Sequence, residues 1–299
     1  MIDDHVRRFL FEQHPIRGHW VHLARTWQAL RAHQDYPAPV RDLLGEATSA
    51  AALLASTLKF EGLLTFQLQG DGAVKLLVAQ CSDDFRLRAV ARFDADAVSP
   101  DFRSLVGDGN VTVTVESREP GTRYQGIVAL SGDSLSASLE GYFASSEQLP
   151  TVVRLAADAE RAAGILVQRV AAEGGRVAPP AGAGDTEEVW RRSAAAVRGL
   201  DRDWLLGLAP QDLLQRALGV EDLRLFEGAA VRFECRCSET RVEGILRSLG
   251  LAEVRSVLAE QGAVTVTCEF CQRPYRFDAV DVERLFASGV VSDRPGSVN

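Results

Sequence analysis

Four of the five cysteines in this 299-residue chain stand in two short-spaced pairs near its end, Cys235-x-Cys237 and Cys268-x-x-Cys271. Two such pairs constrain the fold strongly, because in a reducing compartment they belong to a metal site more often than to permanent disulfides. The surrounding pattern agrees. Val231, Phe233, Cys235 and Cys237 alternate with Arg232, Glu234 and Arg236, which predicts a strand with both sulfurs on its apolar face. Val264, Val266 and Cys268 share a second such face, Cys271 falls in a turn before Pro274, and Tyr275 and Phe277 begin a return strand. The segment between the pairs reads as two helices. Thr240 and Glu243 form a capping box ahead of the stripe Val242, Ile245, Leu246 and Leu249; Leu251, Val254, Val257 and Leu258 form the next, and Gly250 and Gly262 end them. Antiparallel helices would bring the four sulfurs together.

All five histidines lie at or before His33, so Cys235, Cys237, Cys268 and Cys271 are the expected ligand set. Four thiolates suit zinc or an iron–sulfur cluster. The short paired spacings match zinc half-sites better than ferredoxin spacings, so one zinc per chain is expected. Such a site can be a plain structural ribbon or a switch. A module of roughly 60 residues has a marginal core of its own. Structural zinc contributes about 10–16 kcal/mol, as much as the whole stability of about 5–15 kcal/mol of an ordinary domain. Loss of the metal should therefore unfold the module, and oxidation of the thiolates removes its ligands.

The rest of the chain predicts an α+β protein: an N-terminal mixed α/β domain with an antiparallel sheet (1–173), a linker with helices (174–229) and a small C-terminal zinc-binding module (230–299). Trp20–Ala32 and Val40–Lys59 read as helices. Leu63–Gln69, Ala73–Cys81 and Phe85–Phe93 read as strands joined by Gly70-Asp71-Gly72 and Ser82-Asp83-Asp84. Asn110–Ser117 and Tyr124–Leu130 are further strands, a helix runs through Tyr142-Phe143, and Thr151–Ala157 and Ile165–Ala171 are strands again. Gly174-Gly175 and Pro179–Gly184 mark a linker by composition. Beyond it Asp185 and Glu188 form an N-cap pair, and short helices follow over Asp201–Leu208 and Pro210–Leu218. These helices have few apolar residues each and must pack on something.

Composition narrows the function classes. Net charge is −8 and the arginines are scattered among acids, so neither nucleic acid nor an anionic membrane is an expected partner. The two lysines, Lys59 and Lys75, follow Leu58 and Val74, so no Gly-Lys-Ser/Thr phosphate loop exists. Ala47–Leu58 is too short and too rich in hydroxyls to span a bilayer. Met1-Ile2-Asp3-Asp4 lacks the order of a signal peptide, and a cytoplasmic location is expected.

Phe233-Glu-Cys235-Arg-Cys237-Ser238 and Cys268-Glu-Phe270-Cys271 with Tyr275 resemble the heat shock protein 33 family, the redox-regulated bacterial chaperones. Upstream, Gln69-Gly-Asp-Gly72, Tyr124-Gln-Gly-Ile-Val128 and Tyr142–Thr151 are similar to that family's N-terminal domain. The resemblance implies a holdase that works without ATP. It would be an inactive monomer when reduced and zinc-bound, activated when oxidants form two disulfides, Cys235–Cys237 and Cys268–Cys271, and zinc leaves. The first closes a very small, strained ring; the second needs little chain movement. The implied partners are unfolding client proteins, a second copy on oxidation, and ATP-dependent foldases that receive clients. Residues 185–219 would be a conditional lid. No motif assigns client contacts, and no catalytic residue is implied.

Two other classes compete. A thiol–disulfide oxidoreductase using Cys268 and Cys271 would want its motif to open a helix. A zinc ribbon binding nucleic acid or ribosomes would want a basic patch. Cys81 matches no motif and reads as a buried thiol. His19 and His22 are expected on a helix face, and Trp20, Trp27, Trp190 and Trp204 in core or interdomain packing.

Overall fold

The alanine-rich run from Val40 is apolar on nearly every side, which calls for burial all round. In the computed structural model, which describes residues 4–119, 121, 123–170, 183–219 and 221–287, that demand is met by two sheets. The chain forms two compact units, Met1–Glu234 and Cys235–Asn299. The first opens with β1 (His5–Phe11), β2 (Ile16–Leu23), α1 (Arg25–Arg31) and α2 (Ala38–Thr57). It continues through β3 (Gly62–Gly70), β4 (Val74–Ser82), β5 (Arg86–Phe93), α3 (Phe102–Val106), β6 (Gly109–Ser117) and β7 (Arg123–Ala129). Then come α4 (Leu135–Tyr142), β8 (Thr151–Ala157), β9 (Ala162–Arg169), α5 (Ala183–Arg198), α6 (Arg202–Gly207) and α7 (Pro210–Leu218). Short strands β10 (Leu223–Leu225), β11 (Ala229–Ala230) and β12 (Arg232–Phe233) complete it.

One sheet runs β10-β1-β2-β9-β8, with β11 also on β1; the other runs β12-β5-β4-β3-β6-β7. Every pairing is antiparallel except β12 on β5. Helix α2 lies between the sheets. Leu44, Ala47, Ala51 and Leu54 share one core with Val21, Leu155 and Leu166 of the first sheet and Leu64, Phe66, Leu77 and Val113 of the second. Small residues allow this approach: a Cβ on Gly45 would stand 2.5 Å from that of Ala157. Among the described residues no helix is long and apolar enough to cross a membrane.

Two sequence expectations fail at the start of the chain. Trp20–Leu23 is strand, not helix, and the helix is confined to Arg25–Arg31. His19 and His22, three apart on a strand, face opposite sides: His19 Nδ1 lies 2.9 Å from Ser56 Oγ on α2, and His22 Nε2 lies 3.0 Å from Leu206 O on α6. Farther on, Asp185 lies inside the first turn of α5 instead of capping it. Of the expected linker's low-complexity stretch, 174–184, residues 174–182 lie outside the described residues.

Strand alternation gives the first sheet a second apolar face. Phe9, Phe11, Ile16, Trp20, Val152, Ile165 and Val167 point away from α2, and α5–α7 cover them with Val189, Val197, Leu200, Leu205, Leu206, Leu213, Leu214 and Leu218. That is what these sparsely apolar helices pack on. The rim of the contact is polar. Arg198 pairs with Glu140 at 2.8 Å and Arg202 with Asp42 at 3.3 Å. Arg169 pairs with Glu187, and His14 Nδ1 lies 3.2 Å from Thr186 Oγ1. Trp190 is partly buried there, Trp20 and Trp27 are core, and Trp204 is 41% exposed under Arg216. Cys81 is fully buried on β4.

The second unit is small: α8 (Glu239–Leu249), α9 (Leu251–Gln261), β13 (Val264–Thr267), β14 (Pro274–Phe277) and α10 (Ala279–Ala287). Its core is Val242, Leu246, Val254, Val264, Tyr275, Phe277, Val282 and Leu285. Gly250, at φ +91°, lets the chain turn directly from α8 into α9. Half of the expected α8 stripe is not core, since Ile245 and Leu249 are more than half exposed. The cap of α8 is Ser238, whose Oγ accepts from Arg241 N at 3.3 Å, not Thr240.

Candidate metal centre

Three short pieces of the second unit carry the sulfurs. Cys235 and Cys237 lie on irregular chain just ahead of the Ser238 cap; the expected strand through them stops at Phe233. Cys268 follows β13 directly, and Cys271 sits in the turn that returns as β14. The turn is fixed by its own backbone: Gln272 N donates to Cys268 O at 2.8 Å, and Cys268 N donates to Arg273 O at 3.0 Å. Gln272 takes the left-handed conformation at φ +54°. A two-strand turn, not the start of a helix, therefore holds the Cys268–Cys271 pair.

All four Sγ atoms lie within 4.8 Å of one another. Cys235 and Cys268 are 3.6 Å apart, and Cys237 and Cys271 3.4 Å. A tetrahedral ion with metal–sulfur bonds of about 2.3 Å needs sulfurs at corners about 3.8 Å apart. The cluster fits that geometry, and its donor set is all sulfur, so the four cysteines are positioned to hold a metal ion. Cys237 and Cys268 also pack on the hydrophobic core of the unit, which ties the ligands to the fold.

Tyr275 adds a hydrogen bond that the sequence pattern had placed only as a strand residue. Its hydroxyl donates to Cys237 Sγ at 3.1 Å while its ring is buried. A tyrosine in place of phenylalanine at a buried strand position is the signal that points to such a partner. Burial opposes ionisation of Cys237, but the Tyr275 hydroxyl and the neighbouring thiols donate to its sulfur and hold it at about 7. Burial pushes Cys235 and Cys271 up. The bond to Cys237, with burial, pushes Tyr275 up to about 12. A divalent cation would supply the charge that lets four thiolates coexist here.

Comparison with known proteins follows the same lines. The family profile described as "Hsp33 protein" matches residues 4–278. The "33 kDa chaperonin" of Methylobacillus flagellatus is 40% identical over 291 residues, 97% of this chain and 97% of that protein. The "33 kDa chaperonin" of Pseudomonas paraeruginosa is 42% identical over 297 residues, 98% of each. Among solved structures, the 33 kDa chaperonin (heat shock protein 33 homolog) of Thermotoga maritima superposes with a TM-score of 0.78. It covers 96% of this chain and 99% of that one at 21% identity, which speaks for the fold.

Proposed function

Because the chain belongs to the Hsp33 family of chaperones, we propose that it is a redox-gated holdase in which Cys235, Cys237, Cys268 and Cys271 bind one zinc ion and act as the sensor. The observation that carries this reading is the convergence of four sulfurs from three segments on one small core. Zinc, when bound, holds four thiolates and joins those segments. Oxidation of each cysteine pair by peroxide forms one S–S bond and reduces the peroxide to two waters. Two such steps give Cys235–Cys237 and Cys268–Cys271 and leave no thiolate for the metal, so zinc departs and the module loses the stability it supplied.

The helices α5–α7, within the linker 174–229, serve as the lid. Their apolar side chains cover a sheet face that includes Phe9, Phe11 and Trp20, a surface of the kind an unfolding polypeptide adheres to. Residues 1–173 bind clients and 230–299 sense the oxidant. Clients are held without ATP and passed to ATP-dependent foldases; the oxidised form pairs with a second copy. The protein works as a binder, not an enzyme, in the cytoplasm.

The test measures zinc content and suppression of client aggregation on one sample, before and after peroxide at raised temperature. One zinc bound when reduced, and lost as protection appears, is the expected result. Zinc that stays bound, or leaves with no gain in protection, would reduce the site to a structural ribbon.

A further inference from the structure

A cavity of about 720 Å³ opens in the first unit where the α6–α7 corner, Gly207–Gln211, meets the end of the first sheet. Its lining is cationic. Arg7 comes from β1, Arg25 from α1 and Arg161 from the β8–β9 turn, with Glu160 the one carboxylate among the lining residues. Among the described residues none of the three arginines makes an ion pair. Nearby acids are engaged elsewhere: Asp4 accepts from Ala24 N and Thr26 N, and Asp158 from Glu160 N and Arg161 N. Uncompensated guanidinium groups at one opening favour a multiply charged anion.

The same lining holds polar nitrogens without partners. Trp20 Nε1, His22 Nδ1 and Arg7 Nε are shielded from solvent and have no hydrogen bond among the described residues. Trp20 and His22 are each 99% buried and stack at 5.9 Å. A buried donor or acceptor left unmet is costly, so three in one cavity wall point to an occupant that meets them. Their chemistry is mixed. Trp20 Nε1 and Arg7 Nε can only donate. His22 places its proton on Nε2, facing Leu206 O at 3.0 Å, so Nδ1 of the neutral ring can only accept.

We propose that this cavity binds a small phosphate-bearing anion, as inorganic phosphate or a phosphate monoester, between the first sheet and the α6–α7 corner. A monohydrogen phosphate carries acceptor oxygens for the arginines and Trp20 and one P–OH donor for His22. Sulfate has the same shape and charge but no proton to give. The volume lies within the usual range of about 300–1,000 Å³ for small-molecule sites, which leaves room for the ester's organic part.

The experiment uses the full chain, reduced and zinc-loaded. Inorganic phosphate, glucose 6-phosphate or sulfate is titrated at constant ionic strength while the Trp20 indole ¹⁵N–H resonance is followed. That resonance is the one missing from Trp20→Phe. The expected result is a saturable shift with a midpoint near or below about 1 mM for at least one phosphate. Arg7→Gln and Arg25→Gln each weaken it about tenfold, as loss of a charge-assisted contact should. Arg123→Gln, on β7, leaves it unchanged. A stronger response to glucose 6-phosphate than to phosphate assigns the ester; equal responses assign the phosphate group alone. A resonance that does not saturate, or a midpoint indifferent to both cavity arginines, overturns the site. An equal response to sulfate overturns the phosphate assignment.

Discussion

Shaving α5–α7, the proposed lid, from inside should open these helices without touching the cysteine cluster. Leu213 on α7 has no exposed surface and packs in the cluster that joins α5–α7 to Phe9, Trp20 and Ile165. Replacing a buried leucine by alanine costs about 2–5 kcal/mol, including the cavity left behind. At about 1.4 kcal/mol per factor of ten, Leu213→Ala should raise the undocked fraction of α5–α7 roughly 30-fold to 4,000-fold. The opposite face of the first sheet remains packed on α2, so the loss should stay local. The assay is hydrogen exchange on the reduced, zinc-loaded protein, paired with client aggregation without oxidant. Protection in α5–α7 should fall by that factor, α2 and β4 should keep theirs, and client protection should appear with zinc still bound. Leu77→Ala, in the core between the sheets, should lower protection throughout the first unit instead. Equal loss in α2 and α5–α7 after Leu213→Ala would refute a separable lid. Open helices with no gain in client protection would show that the covered face is not the client surface.

Cys268→Ser should abolish stoichiometric zinc and leave α8–α10 unprotected from exchange, whereas Cys81→Ser, away from the cluster, should keep one zinc per chain. Tyr275→Phe removes the donor to Cys237 Sγ and should weaken zinc binding about 10- to 100-fold in chelator competition; unchanged affinity would make that hydroxyl incidental. Burial, with Arg17 and Arg8 nearby, lowers His19 to about 3. The unfolded chain then takes up a proton below about 6.5 that the folded chain refuses, so stability falls as pH drops, by on the order of 2 kcal/mol by pH 5 from this residue. Glu46, which burial pushes up to about 8, has the opposite sign and adds stability as pH falls toward 4.5. The His19 part is therefore read as the difference in denaturation slope between wild type and His19→Asn, and identical slopes would refute it.

Periodicity made much of this fold legible. The hairpins around Gly70-Asp71-Gly72 and Ser82-Asp83-Asp84 alternate cleanly, and both lie where the pattern puts them. The run into β2 misled because His19-Trp20-Val21-His22-Leu23 is buried on both sides. A strand covered on two faces loses the alternation that distinguishes it from a buried helix. The capping error at Thr240 has another cause: Ser238 and Thr240 are both N-cap residue types, and only Thr240 has the glutamate three residues on that completes a capping box, yet the helix starts at Glu239 with Ser238 accepting from Arg241 N. The four sulfurs were visible because paired spacing is itself the chemistry. Arg7, Arg25 and Arg161 were not, because they come from separate segments and only the topology brings them together.

The short strands β10–β12 give the helices before them an unusual mechanical status. Phe9 pairs with Leu225 and His5 with Ala230, while Glu234 N donates to Leu87 O at 3.0 Å, Arg86 pairs with Glu234 at 2.6 Å, and Phe233 lies against His33. The chain that leaves β9 is thus moored again on both sheets before the first ligand cysteine. Helices α5–α7 are a loop tied at both ends, not a free arm. Undocking them gives a tethered coil whose search volume is limited by loop closure, so rebinding competes as a unimolecular event at high local concentration. Reclosure after reduction should then be fast and independent of protein concentration. On the proposed reading, a client would have to hold the exposed face against a competitor that never diffuses away.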